Sequence, residues 1–390
     1  MATAETSLAG RTVRRRSLLA AIRPFSTLLA LGLIWLISHY VLSEKLFLGA
    51  RNLTNLMAQM SILGIAATGM FMVIVTGQID LSVGSVAVLC ATTAGLLYVV
   101  GGLDPYLSMV IAVGLGALIG AVQGFAIAYL KVPAFMVTLA GLLLWRGVHL
   151  VMTDGMSVPS LGPAFEMIGA QYIPPNLARL MLGIASGLYV LLVVVKTIRR
   201  KRRGVTAETR RALVSIVGAL VVAVVLVFHV LPFRGLPTPM AIMFLIFLIV
   251  NFITLNTRFG RHLFAVGGNR EMAVLAGIDV DRLNLKVFTL AGAIYAIAGL
   301  VLAGRLGSAS PNMGQNLELE AIASCVIGGT SLMGGEGTVL GAMMGALVMA
   351  SLDNGLALNW QLSPYWKFIV KGWILVAAVW FDTAAKRIRK

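Results

Sequence analysis

The chain has 390 residues, 59% of them hydrophobic and only 12% charged, with a mean hydropathy of +0.93. A soluble globular chain carries about a quarter charged residues, so an ordinary soluble fold is excluded. Its 31 Lys and Arg against 15 Asp and Glu give a net charge of +16. In a soluble protein that excess would suggest a nucleic-acid partner, but a membrane chain accumulates it by retaining basic residues in cytoplasmic loops.

The chain opens with a polar, basic tail over 1–23 that carries Arg11, Arg14, Arg15, Arg16 and Arg23. The apolar run behind it is too long for a signal-peptide core and lacks a small-residue cleavage site, so it reads as a retained first span. Twelve apolar runs follow in all, at 24–42, 53–76, 81–101, 105–130, 132–152, 177–196, 212–231, 236–255, 285–304, 317–334, 339–358 and 364–382. Each is of the order needed to cross a hydrocarbon core of ~30 Å. The expectation is an all-α polytopic membrane protein of about 10–12 transmembrane helices, one transmembrane domain over 24–382 between basic tails at 1–23 and 383–390. The glycine-rich stretch 328–341 could break or re-enter the membrane.

Charge sets the orientation. With the N-terminus cytoplasmic and twelve spans, 23 of the 31 basic residues fall in inner segments, which places both termini inside. The segment KTIRRKRRGVTAETRR (196–211) has no interleaved aromatics and lies directly between two spans. It reads as a topology anchor on anionic headgroups, and no nucleic-acid partner is expected. The proline-bearing outer segment 153–176 reads either as a cap on the outer mouth, where a soluble partner could dock, or as a plain connector.

Several chemistries are missing. No G-x-x-x-x-G-K-[ST] pattern occurs, so the chain has no phosphate-cradling loop of its own and energy must come from elsewhere. Four isolated histidines lack metal-ligand spacing, so no metal is expected. Cys90 and Cys325 lie within apolar runs and read as packing residues. Neither a nucleophile elbow nor a carboxylate dyad is evident, which disfavours an enzyme.

Two glycine-marked junctions share the pattern G-x-x-[DS]-L-x-x-G, at 77–84 and 328–335, which hints at a duplicated architecture. Glycine allows tight turns and close helix approach, and Asp80 or Ser331 could cap the helix that follows. Asp80, Ser82 and Gly84 therefore stand as candidates for either a helix junction or a translocation path. Ionisable residues within spans are costly and default to functional hypotheses; these are Arg146, Glu318, Glu320 and Asp353, the last followed by Asn354. Glu318 and Glu320 lie at a span boundary near water. For the deeper Asp353, a helix-helix hydrogen bond and contact with a transported molecule remain open.

The inner loop 256–286, NTRFGRHLFAVGGNREMAVLAGIDVDRLNLK, alternates basic, acidic, small and apolar residues. Residues 270–277 read as a short helix parallel to the membrane with Gly277 as its stop, suited to docking on a cytoplasmic protein. Its pattern T-x-F-G-R-x-x-x-A-x-G-G-N-x-x-x-A-x-x-x-G-I (257–278) resembles the cytoplasmic coupling segment of permease subunits from ribose-type monosaccharide ABC importers. GQIDLSVGS (77–85), KVPAFMVTLAGLLLWRG (131–147), ELEAIASCVIGGTSLMGGEGTVLGA (318–342) and MASLDNGL (349–356) carry the same resemblance. Within that family, ASLDNG and the extra pair of spans around 196–211 bring the chain nearest to members that carry D-xylose.

The resemblance implies a bacterial inner-membrane importer in which two permease copies form the pathway among membrane lipid. A cytoplasmic ATP-binding subunit holds ATP and Mg, a periplasmic sugar-binding protein delivers the sugar, and this chain carries no cofactor. Gly260, Arg261, Gly267, Gly268, Asn269, Ala273 and Gly277 match the coupling segment and would seat the ATPase; sugar-contacting side chains are not implied. The alternative is an ion-coupled secondary transporter of a small polar solute with Asp80 or Asp353 as its ion site, which leaves the 256–286 loop unexplained.

Overall fold

The computed structural model describes residues 26–43, 45–202, 209–363 and 365–387. The expected tail over 1–23, the middle of the basic loop at 203–208 and the last three residues of the C-terminal tail lie outside the described residues. All twelve apolar runs contain a helix. Eight helices among the described residues are long and apolar enough to cross a membrane, and two shorter apolar ones span Thr27–Leu42 and Val83–Val99.

The first helix, α1 (Ser26–Ile37), continues through a π-helical turn to Leu42. Helix α2 (Ala50–Val75) is the axis of the bundle, with 94% of its membrane window buried. Around it stand α10 (Thr238–Asn256), α13 (Val280–Leu306), α14 (Leu317–Ile327) and α15 (Val339–Ala357), while α3 (Val83–Val99) and α4 (Pro105–Ala128) pack on α13. Helix α5 (Ala134–Thr153) packs outside α3, and α16 (Trp366–Arg387) rests against α14 and α15. The extra pair, α7 (Pro175–Arg202) and α8 (Thr209–Val225), packs mainly on itself, and only 6% of either membrane window is buried. A π turn and the short α9 (Leu231–Arg234) lead from α8 back to the core.

Two runs depart from simple spans. The third becomes helical only at Val83, after a non-helical segment 76–82, and the tenth is helical for 11 residues before the turns of 328–338. At 1.5 Å per residue, α14 covers about half the hydrocarbon thickness. The start of α3 meets the approach to α14, where a Cβ on Gly84 would overlap the Gly314 carbonyl oxygen and stand 2.6 Å from a Glu318 carboxylate oxygen. The start of α3 and the approach to the short α14 thus meet inside the bundle.

The outer segment 153–176 is a packed connector. It carries α6 (Gly162–Gly169), whose Phe165 is fully buried, and β1 (Tyr172–Ile173), which pairs antiparallel with β2 (Leu236–Pro237). Val158 bridges Ala309, tying the connector to the loop that follows α13.

Lipid tails give helices no hydrophobic reason to associate, so backbone-close packing of small residues must hold them. Gly116, Gly120 and Gly124 form one face of α4 against α13, and a Cβ on Gly120 would overlap the Phe288 carbonyl. Gly292 reciprocates against Gly116, while Gly345 of α15 abuts the Ser324 carbonyl of α14. Gly120→Val should therefore lower stability in detergent by about 3 kcal/mol or more. Gly114→Ala, where nothing lies within 4 Å, should leave it unchanged; thermal unfolding followed by size-exclusion recovery compares the two.

Candidate functional site

The 256–286 loop is two helices held by caps. Thr257 accepts from Gly260 N–H at 3.3 Å to start α11 (Arg258–Gly268), and Asn269 accepts from Met272 N–H at 3.0 Å to start α12 (Arg270–Leu275). Gly277, with φ +79°, ends α12 in the left-handed region. Asp279 caps α13 through Arg282 N–H at 3.0 Å.

The residues expected to seat an ATPase divide by position. Gly260 and Ala273 are buried, a Cβ on Gly260 overlapping the Thr254 carbonyl, while Arg261, Gly268, Asn269 and Gly277 are exposed. The buried ones build the segment. Beside the exposed Arg270 and Glu271, α12 presents three apolar side chains: Met272 is 60% exposed and Leu275 80%, with Val274 beside them. Those three side chains went unmarked in the sequence because apolar residues there read as the buried face of a short helix.

Gly267 is where this segment meets the membrane core. A Cβ on it would overlap the Val75 carbonyl and stand 2.5 Å from Gly335 N, and Gly335 N–H itself donates to Val75 O at 2.9 Å. The two glycine junctions legible in sequence, 77–84 and 328–335, therefore come together at the end of α11. Gly77 (φ +79°) and Gly334 (φ +86°) make the turns. The junctions also share a local device: Asp80 accepts from Ser82 N–H at 2.8 Å and Ser331 from Met333 N–H at 3.2 Å. Each side chain closes a turn on the residue two further along. Asp80 thus works one turn ahead of α3, whose N-cap is Ser82, and not as the cap itself. A cavity of about 260 Å³ opens beside this junction, lined by Thr76, Gln78, Asn269, Arg270, Asn284 and Met333 among others.

The intramembrane acids fall into two groups. Glu320 of α14 and Asp353 of α15 share Lys371 of α16, whose Nζ lies 2.6 Å from Asp353 Oδ2 and pairs with Glu320 Oε1. Asp353 thus joins α15 to α16. Its neighbour Asn354 accepts from Asn52 Nδ2 at 2.7 Å, tying α15 to the start of α2. Lys371 escaped sequence reading because its partners lie 18 and 51 positions away.

The second group lines the seam between α3 and α5. Asp80 is 1% exposed and accepts from Ser82 Oγ at 2.6 Å, and Ser82 Oγ stands 3.2 Å from the Gln123 amide oxygen of α4. Thr138 donates to Ala134 O at 2.9 Å, Ser85 donates to Leu142 O at 2.8 Å, and Thr92 Oγ1 lies 2.9 Å from His149 Nδ1. Arg146 donates to Pro311 O at 2.8 Å and acts electrostatically on the buried Glu318. Gln123, Trp145 and His149 were not singled out in sequence, since a lone amide, indole or imidazole in an apolar run carries no spacing signal.

Two outcomes test these assignments. Lys371→Met leaves two carboxylates without their cation and should cost about 3–5 kcal/mol, whereas Lys371→Arg should cost far less; thermal unfolding in detergent separates them. Gly267→Ala should displace α11 and speed tryptic cleavage after Arg270, while Gly268→Ala, with nothing within 4 Å, should not.

Residues 52–379 match the family model described as branched-chain amino acid transport system / permease component. The chain is 42% identical over 351 residues to the xylose transport system permease protein XylH of Escherichia coli (strain K12), covering 88% of each chain. It is 39% identical over 350 residues to XylH of Haemophilus influenzae, covering 89% of this chain and 92% of that one. The ribose import permease protein RbsC of Bacillus subtilis (strain 168) is 33% identical over 355 residues, covering 90% and 91%. No solved structure matches. A polytopic helical bundle with a capped 256–286 loop, matched along most of its length by these permeases, belongs to the permease components of the branched-chain amino acid transport system family.

Proposed function

We propose that this chain is the conducting subunit of an ATP-driven importer that carries D-xylose across the bacterial inner membrane. One observation carries the reading of the motor: α12 offers Met272, Val274 and Leu275 outward while Gly267 fixes the segment, backbone to backbone, on the ends of α2 and the 328–335 junction. Force applied to α12 by a partner reaches the central helix without passing through a flexible side chain. The partner is a cytoplasmic ATP-binding subunit that holds ATP and Mg, so this chain is no enzyme and needs no cofactor. A periplasmic binding protein supplies the sugar, and two permease copies, set in membrane lipid, enclose the path. Asp80, Ser82 and Gly84 border that path where α3 meets the approach to α14, whereas Glu320, Asp353 and Asn354 brace the helices around it. The choice of D-xylose rests on the similarity to the two xylose permeases.

An ion-coupled carrier leaves the 256–286 loop without a role, and Asp353 is already held by Lys371. The chain reconstituted with its ATPase and binding protein should accumulate D-xylose with ATP and keep doing so when an ionophore collapses the proton gradient. Uptake that survives ATP depletion and dies with the ionophore sinks the proposal. Leu275→Glu should release the ATPase on co-purification and cut uptake at least tenfold. Gly277→Val, forced to φ +79°, should uncouple hydrolysis from uptake while the chain still inserts.

A further inference from the structure

Nine buried side-chain nitrogen or oxygen atoms among the described residues lack a hydrogen-bond partner. Three of them, Gln123 Nε2, Trp145 Nε1 and His149 Nε2, stand along the seam between α3 and α5. Gln123 is 4% exposed and His149 fully buried. The first two converge: a Cβ built on Gly141 would overlap Gln123 Nε2 and lie 3.2 Å from both Trp145 Nε1 and the Ser82 Cβ. His149 follows one helical turn beyond Trp145.

An idle donor is costly wherever water is absent, about 1–3 kcal/mol each and more in a bilayer. The seam has the means to avoid that cost, because its hydroxyls on Thr138, Ser85 and Thr92 all find partners. What it leaves open is nitrogen.

The surroundings narrow the ligand. Asp80 and Glu318 disfavour an anion, and Arg146 with the N–H donors disfavours a cation. A neutral polyol fits both sides, since each hydroxyl can accept from nitrogen and donate to oxygen. Access requires only α5 to move: 17% of its membrane window is buried, against 94% for α2.

We propose that Gln123 Nε2 and Trp145 Nε1 hold hydroxyl groups of the sugar as it crosses, with Asp80 and Ser82 as the accepting side and α5 as the wall that opens. This rests on the sugar-importer reading and names the contacts within it. The test is uptake of the parent pentose and its monodeoxy analogues by the full reconstituted complex. Wild type is compared with Gln123→Leu and with Trp145→Phe, which keeps the ring and loses the N–H. Selectivity due to the binding protein is common to all three and cancels in the comparison. Wild type should carry the analogue lacking the contacted hydroxyl about tenfold less well than the parent, the worth of one hydrogen bond. In the variant lacking that contact the ratio should fall to within about twofold of unity. Variants that slow every sugar by the same factor, or that both fail to insert, overturn the assignment by giving these groups a purely structural role. A wild-type complex that accumulates no monosaccharide sinks the underlying reading, a result distinct from unchanged selectivity in a working transporter.

Discussion

The bundle depends on backbone meeting backbone. Inside a bilayer, apolar side chains gain little by touching one another when the alternative is lipid, so cohesion comes from van der Waals contact at close range. Gly120 against Phe288, Gly345 against Ser324 and Gly267 against Val75 all place main-chain atoms where no Cβ could stand. The chain's 42 glycines are thus a structural material more than a source of flexibility. Among the glycines that do bend the chain, Gly77, Gly277 and Gly334 lie in or beside the 256–286 loop.

That arrangement explains how a helix of six residues can matter to a transporter. Alone, α12 is too short to hold its shape in water. The Asn269 cap, the Gly277 stop and the Gly267 contact fix it at both ends, so its apolar side chains are presented in one orientation. The same contact brings the two similar glycine junctions into touch: both are turns that end at the loop helix α11.

Much of this was legible in the residues. Hydropathy marked every helix among the described residues that is long and apolar enough to cross a membrane. The glycine pairs and the coupling pattern marked the inner junction before any contact was visible. What could not be read were pairings between distant elements. Asp353 and Lys371 lie on different helices, and no periodicity announces that a lysine will fold back onto an aspartate and a glutamate. Residues 317–334 were apolar enough to pass for a span, yet the helix stops at Ile327 because the glycines that follow adopt turns. The seam of Gln123, Trp145 and His149 is likewise a product of two helices, α4 contributing the first residue and α5 the other two.

The α7 and α8 pair has a consequence for how such a chain can be lengthened. Two crossings return the polypeptide to the face it left, so everything downstream keeps its sidedness whether or not the pair is present. Since 6% of either window is buried, its apolar surface is given over to surroundings other than the core. A hairpin of this kind is a module on the perimeter, and its acquisition or loss can proceed without redesign of the central packing.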